Sequence, residues 1–341
     1  MTNVIAVFCF ALALTSLAVS NGTNEVITKA HSEQPAIGSD SAKVEEGFIL
    51  AGDGVRLFYE KAGNGGRTII IPGRLFLFEH LKPLTNEYTV ISYDMRNRGR
   101  SDAVSDASTI TIQNDITDLE SVRRHFGLKK FGLIGYSYLG MMVMLYTLEH
   151  PQYVDRVVQL GPVPLLFPTE YPAHLTAVNH PPGSDPEATE KLKKLEEQGA
   201  DKTDPKEFCE ASWAVNRYRL VGDPANVARL GRGLCEMPNE WPLNLRRHFQ
   251  HHFTSVQRLK NSWETMARLT HSVLTIHGTR DRNAPYGAGR EWALRLPNAR
   301  FLTVKDAAHQ SFAEYPDVII TAVRLFFKGR WPPGVEKVTA L

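Results

Sequence analysis

Apolar residues along this chain fall into two rhythms. Short runs of strand length recur over residues 47–161 and again beyond 262. They are "GFILAG", "VRLFYEKAG", "RTIIIPG", "YTVISYD", "KFGLIGYS", "VDRVVQLGP", "HSVLTIHGTRD" and "ARFLTVKDAAH". The first two are separated by Asp53-Gly54, a pair suited to a tight hairpin turn. Between "KFGLIGYS" and "VDRVVQLGP" lies "YLGMMVMLYTLEHPQY", apolar at helical spacing and stopped by Pro151. "DVIITAVRLFFKG" reads as a closing amphipathic helix. Continuous Ile/Val runs alternating with helices predict an α/β protein, its mostly parallel sheet covered on both faces.

Over residues 162–262 the rhythm changes. "HPPGSDPEATEKLKKLEEQGAD" is charged and turn-rich, and "PKEFCEASWAVNRYRL", "DPANVARLGRGL" and "NEWPLNLRRHFQHHFTSVQRLK" read as helices led by Asp, Asn or Pro. The simplest parse is a core over 47–161 and 263–341, interrupted by a helical insertion over 162–262. Ahead of it, residues 21–46 are polar and aperiodic, as in a flexible linker. Residues 4–19, "VIAVFCFALALTSLAV", are apolar apart from Thr15 and Ser16, shorter than the about 20 residues of a bilayer span, and Ala18-Val19-Ser20 supplies small residues at the −3 and −1 positions of a cleavage site. Residues 1–20 are therefore expected to be a signal peptide, although Met1-Thr2-Asn3 carries no Lys or Arg; an uncleaved membrane anchor and a buried helix are the alternatives. The mature protein is expected to be secreted or periplasmic, with no stable membrane span.

Composition narrows the partners. Lys+Arg 39 against Asp+Glu 37 gives a formal net charge of +2, so no basic field for nucleic acid is implied and a small molecule is the expected partner. In an oxidising compartment, Cys209 and Cys235 would remain as an even pair, open to a disulfide or to two buried thiols. No CxxC or Cys/His ligand spacing occurs, so no metal and no cofactor are expected. Oligomeric state is not readable from this pattern.

The chemistry-bearing stretch is "FGLIGYSYLG", residues 131–140. An apolar strand ends in glycine, and Ser137 follows at the turn into a helix. A hydroxyl is a poor nucleophile at neutral pH; it needs a base beside it and a group that orients the base. A helix N-terminus behind it favours developing negative charge. Alone, a Gly-flanked serine is an ordinary turn. Downstream, "TIHGTRDRNAP" places Asp281 just past one strand, and "FLTVKDAAHQSF" places His309 just past the next. The C-terminal ends of parallel strands share one sheet edge, so Ser137, Asp281 and His309 can converge there. Serine, acid, histidine is the chain order of one serine-hydrolase layout.

On these residues the sequence resembles the α/β-hydrolase fold superfamily, in the branch of capped serine hydrolases with proline iminopeptidases, esterases and epoxide hydrolases. The resemblance spans roughly 47–329 and rests on "IPGR", "YDMRNRGRSD", the serine turn, "EHPQYVDRVVQLGP", "GTRDRNAP" and "AAHQSF". It implies an eight-stranded, mostly parallel sheet with helices on both faces and an inserted helical cap. It also implies Ser137 as nucleophile, His309 as general base then acid, Asp281 as orienting carboxylate, and an oxyanion hole from the backbone N–H groups of Arg74 and Tyr138. Two positions depart from the family pattern. Pro72-Gly73 stands where His-Gly is common, and Leu139 stands where a small residue is usual and must find space. The arginines of "RNRGRS" read as solvated or ion-paired.

Substrate is less legible. Phe167, Tyr171, Trp213, Tyr218, Trp241 and Phe253 are spread over the insertion; Trp213, Tyr218 and Trp241 are candidates for pocket walls, against a plain packing role. His248, His251 and His252 share one helical face where metal ligands could lie, but with no HExxH carboxylate they read as a solvated or stacked face. An aminopeptidase needs a carboxylate for the substrate ammonium, and Glu207, Glu210, Glu236 and Glu240 are the candidates. The Gly/Pro-rich turn of iminopeptidases is absent from "IPGRLFLF". The expected function is a secreted serine hydrolase acting on a small ester or amide. The alternatives are an iminopeptidase-like aminopeptidase, a cofactor-free non-hydrolytic enzyme of the same fold, and a ligand-binding protein.

Overall fold

The structure, a computed structural model, describes residues 43–176, 185–231 and 233–341. The expected signal peptide, and residues 21–42 of the expected linker, lie outside them. The strands are β1 (Glu45–Leu50), β2 (Arg56–Ala62), β3 (Thr68–Pro72), β4 (Thr89–Tyr93), β5 (Phe131–Tyr136), β6 (Val154–Leu160), β7 (Ser272–Gly278) and β8 (Ala299–Val304). They form one sheet in the order β1-β2-β4-β3-β5-β6-β7-β8. β1 and β2 make the antiparallel hairpin about Asp53-Gly54, β2 joins β4 antiparallel, and every pairing beyond β4 is parallel.

The helices are α1 (Arg74–Leu81), α2 (Ile112–His125), α3 (Tyr138–Glu149), α4 (Pro186–Glu197), α5 (Ala200–Thr203), α6 (Pro205–Asn216), α7 (Pro242–Gln257), α8 (Trp263–Met266), α9 (Tyr286–Arg295), α10 (Ser311–Glu314) and α11 (Pro316–Phe327). None of the described helices is long and apolar enough to cross a membrane.

The unbroken apolar runs are explained by burial on two sides. Successive side chains of a strand point to opposite faces. Ile70, Leu133, Val157 and Val273 accordingly pack on one face under α2, α3 and α9. Ile69, Ile71, Ile134, Val158 and Leu274 pack on the other under α1 and α11. Burying each such side chain contributes about 1.5–3 kcal/mol.

Two boundaries differ from the sequence expectation. The expected linker runs to residue 46, but β1 starts at Glu45, with Glu45 opposite Lys61 and Glu46 opposite Glu60. The strand start is polar because Glu45 is held by side chains, Tyr59 Oη at 2.8 Å and Lys61 Nζ at 2.9 Å, and not by apolar packing. Among its described residues "DPANVARLGRGL" forms no α-helix; a 3₁₀ turn, Pro224–Arg229, forms there, and Leu234 opens the next. Gly231 and Gly233 follow within a few residues, and glycine backbone is too free to extend so short a helix.

Between β6 and β7 stand α4–α8 and several 3₁₀ turns. Cys209 of α6 and Cys235 of the turn Leu234–Glu236 are joined by a disulfide, S–S 2.02 Å, which decides the pair that spacing left open. This segment sits over the C-terminal edge of the parallel strands. It is tied there by Asn239 Nδ2, which donates to Ser101 O at 2.8 Å, and by Ser255 Oγ, which accepts from Ile112 N at 3.0 Å.

Candidate active site

Ser137 occupies the single residue between β5 and α3, with φ 56° and ψ −124°. A non-glycine residue at positive φ stores about 1–3 kcal/mol of strain. The turn holds it by hydrogen bonds from Ser137 N to Leu160 O at 2.9 Å and from Gly140 N to Ser137 O at 3.0 Å. It also requires Gly135: a Cβ there would stand 2.3 Å from Leu139 O. The strained elbow leaves the hydroxyl facing an open cavity while the flanking chain is packed.

The other two expected residues reach the same point. His309, after β8, places Nε2 2.9 Å from Ser137 Oγ and Nδ1 2.7 Å from Asp281 Oδ2. Asp281, after β7, is fully buried, and its Oδ1 accepts from Asn283 N at 2.8 Å and Ala284 N at 2.9 Å. A carboxylate oxygen only accepts, so Nδ1 of His309 carries the hydrogen and Nε2 is left to accept from the serine hydroxyl. Burial alone pushes the Asp281 carboxyl up. The His309 charge and hydrogen bonds from His277 and His309 outweigh it, and the net direction is well below the usual carboxylate range. The ring of Tyr136 lies 4.7 Å from that of His309 and walls its other side.

The two expected backbone donors also open helices: Tyr138 is the first residue of α3 and Arg74 the first of α1. First-turn N–H groups have no partner inside their own helix. The Arg74 side chain turns away, to Asp94 at 2.9 Å and Glu60 at 3.3 Å. Leu139, the departure from the family pattern, finds its space at the other departure. A Cβ on Gly73 would meet Leu139 Cδ1 at 2.5 Å, so the leucine fills the volume glycine leaves.

Above Ser137 lies a cavity of about 330 Å³ between the sheet edge and the helical segment. Its walls are mostly apolar and include Phe76, Phe208, Trp213, Phe249 and Phe253. Of the three expected pocket residues only Trp213 lines it. Trp241 is instead a packing residue whose indole N–H donates to Cys235 O at 3.0 Å. Tyr218 lies outside the walls, beside the Arg217 guanidinium at 5.5 Å. The sequence marks aromatic residues but not the side of a short helix they face.

One end of the cavity is polar: Asp115, which the sequence does not single out, meets Tyr138 and the histidines of α7 there. Tyr138 Oη donates to Asp115 Oδ2 at 2.5 Å, and His252 Nε2 lies 3.0 Å from the same oxygen. His248 stacks on His252 at 5.6 Å. These two rings are buried, not solvated as one reading of that face expected, because helical spacing turns them inward while His251 stays half-buried. Burial, with the Arg98 and His252 charges, pushes His248 well below its ordinary value. No group of three or more potential metal ligands is gathered among the described residues.

The candidate ammonium ligands are occupied or remote. Glu240 is held by Arg98 at 2.7 Å, Glu207 by Lys191 at 2.8 Å and Glu236 by Lys206 at 2.9 Å, and Glu210 is exposed. A further residue the sequence reading passed over is His277 in "TIHGTRD". Its signal is a polar ring ending an otherwise apolar strand four places before Asp281.

A sheet of this order, with a serine elbow and the acid and histidine on the next strand ends, defines an α/β-hydrolase architecture. Residues 71–316 match the family described as the alpha/beta hydrolase fold, well over half of the chain, and the protein belongs to that family. Epoxide hydrolase 4 of Mus musculus is 27% identical over 150 residues, 42% of each chain. Proline iminopeptidase of Saccharolobus solfataricus is 31% identical over 127 residues, 35% of this chain and 41% of that protein. The matched stretches thus span less than half the length of these relatives. Among solved structures, a serine hydrolase from the polyaromatic-hydrocarbon-degrading bacterium Cycloclasticus zankles is similar with a TM-score of 0.62 at 17% identity. The match covers 84% of this chain and 99% of that one. At that identity the likeness speaks for the fold alone.

Proposed function

We propose that the protein is a serine hydrolase that cleaves a small ester or amide through an acyl-enzyme on Ser137. The observation that carries this reading is the hydrogen-bonded series Ser137–His309–Asp281, at 2.9 and 2.7 Å. His309 takes the serine proton as Oγ attacks the carbonyl carbon. Asp281 holds the imidazole in the required tautomer and stabilises the imidazolium. The N–H groups of Tyr138 and Arg74 receive the developing oxyanion; each such donor contributes about 3–4 kcal/mol to the transition state. His309 then returns the proton to the leaving oxygen or nitrogen, and a water activated in the same way frees the acid and restores Ser137.

The apolar cavity favours an uncharged acyl group. The occupied glutamates weigh against an aminopeptidase, although Proline iminopeptidase is among the relatives. A fluorophosphonate probe tests the reading: wild-type protein forms an adduct at Ser137 and Ser137→Ala does not. Failure of the wild type to label sinks it. A panel of chromogenic esters and aminoacyl arylamides separates ester from amide substrates.

We also propose export, supported by the reading of residues 1–20 and by the Cys209–Cys235 disulfide, which suits an oxidising compartment. Expression of the full chain followed by N-terminal sequencing gives a start near Asn21; retained Met1 overturns it.

A further inference from the structure

His277 ends β7 beside the last glycine of the strand and is fully buried. Its Nε2 lies 3.1 Å from Asp281 Oδ2 and 3.2 Å from Ala284 O. Both neighbours are acceptors, so this nitrogen carries the hydrogen and donates. The same Oδ2 also accepts from His309 Nδ1 at 2.7 Å. One carboxylate oxygen is therefore shared by two imidazoles, while Oδ1 is taken by two backbone N–H groups.

The serine–histidine–acid layout does not require the second ring. Burying an imidazole is unfavourable unless its polar atoms are satisfied, and here Nδ1 of His277 has no partner. An apolar side chain would avoid that penalty. The ring is also sterically fixed: a Cβ at Gly289 of α9 would stand 2.4 Å from His277 Nδ1, and Tyr286 lies edge-on at 5.9 Å. A half-satisfied ring held this tightly against the acid has two contacts that use its chemistry, to Ala284 O and to Oδ2, and only the second reaches the triad.

We infer that His277 is a positioning residue of the reaction: it clamps Oδ2 of Asp281 where His309 Nδ1–H meets it, and it draws off part of the charge that oxygen presents to His309. The inference rests on the hydrolase reading above. The other titratable or charged groups around this carboxylate are His309 itself, Tyr136 at the end of β5, Tyr286 of α9 and Arg282. The Arg282 guanidinium is directed to Val221 O at 3.1 Å, so it does not replace the His277 donor.

Two substitutions separate chemistry from packing. His277→Leu keeps bulk and removes the donor; His277→Gln keeps an N–H that reaches toward Oδ2. For an ester that the wild type hydrolyses, His277→Leu is expected to lower kcat by about ten- to a hundredfold with KM within about twofold, the signature of misplaced machinery and not of lost binding. Its acidic limb of kcat/KM moves to higher pH, because Asp281 then presents undivided charge to His309. His277→Gln restores most of kcat and returns the limb. A folded His277→Leu protein with wild-type kcat and pH profile overturns the inference, and so does a Gln variant as impaired as the Leu variant. Should His277→Leu fail to fold, Gly289→Ala, which presses on the ring without touching the triad, is expected to give a smaller kcat loss and the same limb shift; an unchanged profile there overturns it. Fluorophosphonate labelling of the wild type reads the hydrolase proposal separately, so labelling with no His277 effect refutes only the clamp.

Discussion

Arg98 and Glu240 face each other across the boundary between the sheet and the helical segment, with paired bonds of 2.9 and 2.7 Å. Gly99 N adds a third bond to the same carboxylate at 2.8 Å. Both side chains are nearly enclosed, with 12% and 2% of their surfaces exposed. Removing one member leaves the other charge buried and uncompensated, which destabilises by about 3–5 kcal/mol. Glu240→Ala is expected to lose that much in urea unfolding, and Arg98→Met/Glu240→Leu to regain a large share. If the double variant is as unstable as the sum of the singles, the pair is not a coupled latch.

Asp281→Asn tests the orienting carboxylate without changing its shape. An amide at this position can offer N–H to His309 and favour the wrong tautomer. The expected loss is about 10⁴-fold in kcat, by analogy with the same exchange in a chymotrypsin-type triad. Steady-state kinetics on any ester turned over by the wild type reads it; a loss under tenfold speaks against this role.

Cys209 and Cys235 close a loop of sequence separation 26 inside the helical segment. A cross-link of that span restricts the unfolded chain by about 3.5 kcal/mol in the chain-entropy picture. Cys209→Ser is expected to lower the thermal midpoint by several degrees. An unchanged midpoint under oxidising conditions shows that the bond restrains little.

Glu120 gives a pH signature. Burial pushes its carboxyl up, but hydrogen bonds from Arg123, Arg124 and Tyr146 outweigh this and bring it down to about 2. An unfolded Glu titrates near about 4.3, so the stabilisation is full above that pH and fades as pH falls toward the folded value. Glu120→Gln is therefore expected to be less stable than wild type in urea at neutral pH, with the gap closing as pH falls from about 4.3 to about 2. A gap independent of pH contradicts the assignment.

Legibility in the sequence followed the physics of each element. Strands buried on both faces wrote themselves as continuous Ile/Val runs, and the three residues at strand ends followed from shared polarity of the parallel strands. Helix α2 was obscured because Asp115, Asp118 and Glu120 share its buried side with Ile112, Ile116 and Leu119, blurring the apolar stripe. Helix α1 is short and apolar nearly all round, so it carries no periodicity. Trp241 and Tyr218 show the limit for the pocket: composition names an aromatic residue, while its orientation depends on caps and 3₁₀ turns that only the folded chain fixes. Arg98–Glu240 is a pairing between residues far apart in the chain, which no local spacing encodes, whereas His277 stands four places before Asp281 and is hidden only because one buried histidine in a strand reads as packing.

The meeting of Gly73 with Leu139 has a consequence for how this binding chamber can be altered. The leucine methyl plugs a notch beneath the nucleophile, and trimming it to alanine turns that plug into a recess running toward the start of α1. A branched acyl chain would then gain a place to rest, whereas a side chain added at residue 73 meets the Leu139 methyl and is strained by the φ of +81° besides. The two positions are therefore not interchangeable: the second can be trimmed, while the left-handed backbone holds the first to glycine whatever room is made.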